Sequence, residues 1–331
     1  MPLLILDKSD VERLLPMQKC IELMEDAFES LASGEVLLPL RPVLRIPDTR
    51  NLFALMPAYS SAINAIGAKL ITVFPDNHDA GLDSHQGAVA LFDGATGALN
   101  AVMDAASITA IRTAAASGLA TRLLAREETS TLAILGSGTQ ARTHADAMLA
   151  VRPFKQIVVW SRSSEHARAF AAELTVRHDV SVDVAADPAA AVRTADVICT
   201  VTAAREPILQ GDWLMPGCHI NAVGASIPSA RELDSAAVRR ARVFVDRRES
   251  ALNEAGDLLI PIREGVITAD HVVAELGELL LGMGGGGRGT EHEITLFKSL
   301  GIAIEDLAAA HYLYERARAE DAGTWVEFGG A

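Results

Sequence analysis

The sequence predicts an α/β chain of two domains: a doubly wound parallel sheet, and a discontinuous α+β domain beside it. Three observations predict this. Residues 131–245 alternate short apolar strands with helical stretches. The first of those strands runs directly into Gly136-Ser137-Gly138 and then a helix. Residues 38–102 have another texture, with β-rich runs broken by Pro, Gly, Asn and Asp and not by helices.

Taken in order, residues 3–6 read as a short strand. Ser9-Asp10-Val11-Glu12 has capping-box spacing. Residues 11–31 place apolar side chains at helical period, which predicts one or two amphipathic helices. The β-rich runs are 43–46, 52–56, 68–73 and 87–92, and Asp93-Gly94 with Thr96-Gly97 reads as a hairpin connection. Residues 108–125 are alanine-rich and helical. Strands follow at 131–135, 156–160, 182–184, 197–200, 220–223 and 243–245, with helices such as 165–176 and 187–194 between them. Residues 279–289 include Gly284-Gly285-Gly286-Gly287 and read as a mobile loop. Residues 302–322 read as a helix that packs back on the first domain. The expected domains are therefore 1–120 with 302–331, and 121–301.

The glycine turn carries the first chemistry. Gly136 and Gly138 let the backbone turn tightly and approach a pyrophosphate. Ala141 lets the helix pack close to the strand, and the helix N-terminus offers free N–H groups. In a strand–turn–helix setting this is the fingerprint of a dinucleotide site. An NAD site places an acid after the second strand to hold the ribose hydroxyls. Here that strand ends in Ser161-Arg162-Ser163-Ser164, hydroxyls and a guanidinium suited to a 2′-phosphate. The expected cofactor is NADP(H), with NAD(H) as the other option. Ser163 or Ser164 also suits the cap of the next helix.

Bulk properties narrow the partners. The 331 residues carry a net charge of −14, which argues against nucleic acid and anionic membrane surfaces. Cys20, Cys199 and Cys218 are scattered, as a disulfide framework is not, and a reducing cytoplasm is expected. Cys218-His219 and Glu291-His292-Glu293 lack ligand spacing, so no metal is expected. The N-terminal apolar run is too short for a signal peptide. No apolar stretch is long enough to span a bilayer.

Several further segments coincide along the chain. They are Leu55-Met56-Pro57-Ala58-Tyr59, Ala68-Lys69-Leu70-Ile71, Ser84-His85-Gln86-Gly87, Ile108-Thr109-Ala110-Ile111-Arg112-Thr113, Thr200-Val201-Thr202, Pro207-Ile208-Leu209, His219 to Ser226 and Phe297-Lys298-Ser299-Leu300-Gly301. With the glycine turn, they make the chain resemble the ornithine cyclodeaminase/mu-crystallin family over nearly its whole length. The resemblance implies a Rossmann dinucleotide-binding domain inserted into a substrate-binding and dimerisation domain. It implies a homodimer formed through the N-terminal sheets. Members include cyclodeaminases, an alanine dehydrogenase, ketimine and cyclic imine reductases and a lens protein, all binding a nicotinamide dinucleotide.

The resemblance also implies site residues. Arg41, Lys69 and Arg112 match its cationic positions for the carboxylate of an imino or amino acid. Thr113, Gly136, Ser137, Gly138, Thr139, Gln140, Ser161, Arg162, Ser163, Thr200, Val201, Thr202, Val223, Ser226 and Lys298 are the implied cofactor contacts. Taken alone, Lys69 would read as an edge-strand lysine snorkelling to water. Arg112 alone would read as a solvated helix charge, like Arg122 and Arg126. Arg45 and Arg50 flank the same early strand as Arg41 and are its alternatives. His85 and Gln86 are minor candidates for the pocket lining. Ser226 departs from the cyclodeaminase branch, which has Asp there, and serine is no base at neutral pH without an activating partner. The expected reaction is NADPH-dependent reduction of a cyclic ketimine such as Δ1-pyrroline-2-carboxylate or Δ1-piperideine-2-carboxylate. An alanine dehydrogenase-type enzyme, an ornithine cyclodeaminase and a catalytically silent ligand-binding protein are the alternatives.

Overall fold

A computed structural model describes residues 2–329, with the side chains of residues 78–80 left aside. The chain forms two compact units, Met1–Arg112 with Ile302–Ala331, and Thr113–Gly301.

The first unit holds β1 (Pro2–Leu6), α1 (Lys8–Leu14), α2 (Met17–Ala32), β2 (Val36–Leu37), β3 (Val43–Arg45), β4 (Leu52–Ser60), β5 (Ala65–Val73), β6 (His85–Asp93) and β7 (Leu99–Asp104). Strands β4 to β7 form an antiparallel meander, and the Asp93–Gly97 turn joins the last two as the dipeptides predict. The sheet as a whole is mixed. β1 pairs parallel with β7, and on its other edge β1 pairs with a C-terminal strand, Thr324–Glu327, that the sequence reading lacks. That strand is four residues long with a single turn before it, too short for a periodic signal.

The long strands alternate strictly. Ala54, Met56, Ala58, Lys69, Ile71, Val89 and Leu91 point to a buried face. The C-terminal helix Ala303–Glu320 packs across that face. Gly67 permits the approach, since a Cβ there would lie 2.8 Å from Leu307 Cδ1. Helix α2 adds a stripe of Cys20, Ile21, Met24, Ala27 and Phe28 at helical spacing. The opposite sheet face carries Leu55, Tyr59, Ile66, Leu70 and Phe92, with Ile66 40% and Leu70 36% exposed. One expectation fails at the start of α1. Asp7, not Ser9, is the cap, and its carboxylate accepts from Asp10 N at 2.9 Å. Both residues are good caps, and the helix takes the earlier one.

The second unit begins within helix α3 (Ala105–Leu124), whose last twelve residues belong to it. Its elements are β8 (Thr131–Leu135), α4 (Thr139–Val151), β9 (Gln156–Trp160), α5 (Ser164–Arg177), β10 (Ser181–Val184), α6 (Pro188–Val192), β11 (Val197–Thr200), β12 (His219–Ala222), α7 (Ser235–Arg240), β13 (Ala241–Val245), α8 (Arg248–Glu254), α9 (Gly256–Arg263), β14 (Val272–Glu275), α10 (Leu276–Leu280) and β15 (Ile294–Lys298). The C-terminal helix is then α11 and the last strand β16.

All eight strands are parallel, in the order β10-β9-β8-β11-β12-β15-β13-β14. Every residue of β8, β11 and β12 is buried, as parallel strands covered on both faces require. The order reverses between β8 and β11. In doubly wound sheets that switch point is where ligands bind, beyond the carboxyl ends of the strands. β14 and β15 are absent from the sequence reading, because each is only four or five residues long and lacks alternation. Arg126 also departs from expectation: it is not a solvated charge but pairs with Asp196. The other Asp196 oxygen accepts from Ser130 N and Thr131 N, at 2.8 and 3.0 Å. The glycine-rich segment 284–287 is held by Arg242, which donates to the Gly285 and Gly286 carbonyls. No helix among the described residues is long and apolar enough to cross a membrane.

Candidate active site and nucleotide site

In the first unit a cationic cluster stands on the buried sheet face. Lys69 lies mid-strand in β5, paired with Met56 of β4 and Val89 of β6. It is therefore a central-strand residue and no edge lysine. Its side chain is 2% exposed. Nζ donates to Asp306 Oδ1 at 3.0 Å and to Thr109 Oγ1 at 3.3 Å. Arg112, on α3, is 3% exposed and is no solvated helix charge. Its Nε donates to Asp306 Oδ1 at 3.0 Å and its Nη1 to Glu305 Oε2 at 2.7 Å. Glu305 and Asp306 are buried in the first turn of α11, and the other Glu305 oxygen accepts from Ile302 N at 2.9 Å.

Charge sets the protonation of this cluster. Burial, then the Arg112 charge, brings the Lys69 ammonium down to about 8 against the pull of Asp306. Arg112 is held above its ordinary value: burial opposes its charge, but Asp306 and Glu305 outweigh it. Arg41, half-buried in the loop between β2 and β3, is near enough for its charge to press on Lys69 as well. Two buried cations, Lys69 and Arg112, thus meet the carboxylates of Glu305 and Asp306, with the Arg41 charge beside them, a setting of guanidinium and ammonium groups suited to a carboxylate ligand.

The remaining candidates of this unit lie elsewhere. Arg45 is exposed at the end of β3. Arg50 pairs with Asp76 on the surface. His85 is exposed, with Ser84 Oγ 2.9 Å from its Nδ1, and lines an open depression with Gln86, Asp83 and Asp104. Sequence reasoning missed Glu305 and Asp306. Acids in the first turn of a helix are ordinary, so the only signal was two of them inside the apolar run 302–310.

In the second unit the glycine turn has the geometry its sequence implies. Gly136 has φ +135°, and a Cβ there would lie 2.8 Å from the Val201 carbonyl oxygen. Gly138 is the N-cap of α4 with no side-chain cap bond, and a Cβ there would meet nothing within 4 Å. The helix N-terminus is thus open on the Gly138 side, with no side-chain cap, as an anion-binding helix end requires. Ala141 is fully buried behind the turn. Thr139 and Gln140 form the first turn of α4. Ser137 Oγ donates to Ser161 Oγ at 3.0 Å, tying the turn to the end of β9. Arg162 is exposed, and Ser163 caps α5 by accepting from His166 N at 3.2 Å.

Thr200 ends β11, Val201 and Thr202 follow it, and Val223 and exposed Ser226 follow β12, all at the carboxyl ends of the sheet. Thr113 is buried on α3. A residue that sequence reasoning passed over organises these loops. Glu232 is fully buried; Oε1 accepts from Thr202 N and Oγ1, each at 2.7 Å. Oε2 accepts from Thr200 Oγ1 at 2.8 Å and Gly224 N at 2.7 Å. Asp257 Oδ1 accepts from Glu232 N and Leu233 N at 2.8 and 3.0 Å. Lys298, an expected cofactor contact, is fully buried at the end of β15. Its Nζ pairs with Asp257 Oδ2 and donates to the Ala222 carbonyl, both at 3.1 Å. The ammonium is thereby committed beneath the loops, as a support of β12.

The sequence profile of the ornithine cyclodeaminase/mu-crystallin family matches residues 2–321. The chain belongs to that family. Among relatives in the ornithine cyclodeaminase/mu-crystallin family, Δ1-pyrroline-2-carboxylate reductase of Bacillus cereus is 38% identical, over 98% of this chain and 100% of that protein. Ketimine reductase mu-crystallin of Mus musculus is 43% identical, over 87% of this chain and 88% of that one. Among solved structures, Δ1-pyrroline-2-carboxylate reductase of Thermococcus litoralis, in complex with NADH and L-proline, superposes with TM-score 0.95 at 39% identity. The match covers 97% of this chain and 99% of that one. An archaeal alanine dehydrogenase dimer with bound NAD gives TM-score 0.93 at 32% identity, over 99% of this chain and all of that one.

Proposed function

We propose that this chain is an NADPH-dependent reductase of a cyclic ketimine carboxylate, Δ1-pyrroline-2-carboxylate or its six-membered homologue Δ1-piperideine-2-carboxylate. The observation that carries the reading is the buried Lys69–Arg112 cluster with the Arg41 charge beside it. Serine at 226 in place of a carboxylate favours reduction over cyclodeamination. Two relatives bear the names of such reductases, and a third such reductase is solved with L-proline, a product of this reaction class.

Arg112 and Arg41 grip the substrate carboxylate, which fixes the imine carbon. Lys69 Nζ carries a proton at neutral pH and delivers it to the imine nitrogen. The bound nicotinamide supplies the hydride. The open N-terminus of α4 and the Gly136–Gly138 turn hold the pyrophosphate. Ser161, Arg162 and Ser163 hold a 2′-phosphate, and on them rests our preference for NADPH over NADH. Arg162→Ala is expected to raise the Kd for NADPH about tenfold while leaving that for NADH unchanged. The exposed apolar face of the first sheet supports a homodimer, and the related alanine dehydrogenase is a dimer. The three cysteines are free and buried, which suits the cytoplasm.

The reading is tested by following NADPH oxidation with both cyclic imines and with pyruvate plus ammonia. Turnover of the cyclic imines well above that of pyruvate is expected. Faster amination of pyruvate would make the protein an alanine dehydrogenase. Proline formed from ornithine without net loss of nucleotide would make it a cyclodeaminase.

A further inference from the structure

The Glu232 cluster holds more negative charge than its hydrogen bonding needs. Two carboxylates, Glu232 and Asp257, and one ammonium, Lys298, are all fully buried. Lys298 pairs with Asp257, so the charge left over is that of Glu232. Burial and the neighbouring Asp257 both work against ionisation of Glu232. Two backbone N–H groups and two hydroxyls, divided evenly between its oxygens, oppose them. A neutral acceptor would join these loops without the desolvation penalty that a carboxylate carries.

The charge also lies at a telling place. A Cβ on Gly224 would fall 2.0 Å from the Thr202 carbonyl oxygen and 2.6 Å from Glu232 Oε1. The loops after β11 and β12 therefore touch, with the carboxylate directly beneath them. Those loops stand at the carboxyl ends of the strands, where a doubly wound sheet presents its ligand. A nicotinamide ring bears one positive charge when oxidised and none when reduced.

We propose that Glu232 sets the balance between oxidised and reduced nicotinamide in this site, its buried negative charge favouring the cationic form and with it the departure of hydride. The inference rests on the nucleotide-site reading above. Glu232 is a positioning and electrostatic residue that acts through Thr200, Thr202 and Gly224.

The experiment measures Kd for NADP+ and for NADPH on the intact protein, wild type and variants. Glu232→Gln keeps an acceptor and removes the charge. It is expected to weaken NADP+ relative to NADPH by about tenfold, the scale of one unit charge in a partly desolvated site. Asp257→Asn removes another negative charge while its Oδ1 still accepts from Glu232 and Leu233. It is expected to move the ratio the same way, and it decides the matter if Glu232→Gln does not fold. Thr202→Val perturbs the loop but keeps both charges, so it should weaken both nucleotides and leave the ratio unchanged. An unchanged ratio in the folded charge variants overturns the inference and leaves the nucleotide site standing. Failure of wild-type protein to bind either nucleotide overturns the nucleotide-site reading itself.

Discussion

Lys69 shows how one side chain can be legible in the sequence while its meaning is not. A lysine amid Ala, Leu, Ile and Val marks itself, but its edge-strand reading and its site reading predict the same pattern. Pairing with Met56 and Val89 decides between them, and that pairing is not local information. The partners were less visible still, because Asp306 lies 237 positions away. The protonation argument gives a signed expectation. Lys69 is protonated below about 8, so imine reduction should fall as pH rises through that value. Asp306→Asn removes a charge that raises the lysine, so this limb should move to lower pH. A pH–rate profile of both proteins checks it, and an unmoved limb assigns the proton elsewhere. Arg112→Ala should destabilise the protein by about 3–5 kcal/mol, since it removes the guanidinium that pairs with buried Glu305 and Asp306. Urea unfolding of the variant measures that loss.

Helices and strands with strong local signals were read nearly to the residue. β8, β9 and β11 fall where their apolar runs place them, and the turn into α4 follows from Gly136 and Gly138. Among the elements that escaped, β2, β14 and β16 are short strands laid on a neighbour's free edge, and β15 is a five-residue buried strand between β12 and β13 that lacks alternation. The cap of α1 escaped because Asp7 and Ser9 compete for one role. The glycine turn supports a paired test. Gly136→Ala forces a side chain into φ +135° and against the Val201 carbonyl, so it should lower both stability and nucleotide affinity. Gly138→Ala meets no protein atom, so its melting temperature should stay near wild type while its nucleotide Kd rises. Thermal melts with nucleotide titrations separate the two, and equal affinity for Gly138→Ala and wild type would count against a phosphate beside that cap.

At the scale of the molecule, the outward face of the first sheet is the main surface left to explain. Ile66 and Leu70 alternate with buried neighbours on β5, and Leu44 nearby is 62% exposed. Large exposed apolar patches mark association sites. The double variant Ile66→Glu, Leu70→Glu should convert the proposed dimer into a monomer with intact helix content, which sedimentation and circular dichroism would show. The alternation of strand and helix made the parallel sheet legible, and the apolar alternation of β4 to β6 made the meander legible. The return of residues 302–322 to the first domain was read from the terminal helix itself, and the family resemblance implied the same path. That path gives the molecule an order of assembly. Lys69 and Arg112 leave the ribosome early, yet Glu305 and Asp306, which neutralise them, are made after the whole of the second unit. The nascent chain must carry two cations destined for burial while some two hundred residues are added. The contiguous unit 113–301 is free to fold meanwhile, but the Lys69–Arg112 cluster meets its counter-charges only when the last helix arrives. A stop codon before residue 305 would thus leave the second unit whole and the first with two cations stripped of their buried carboxylates.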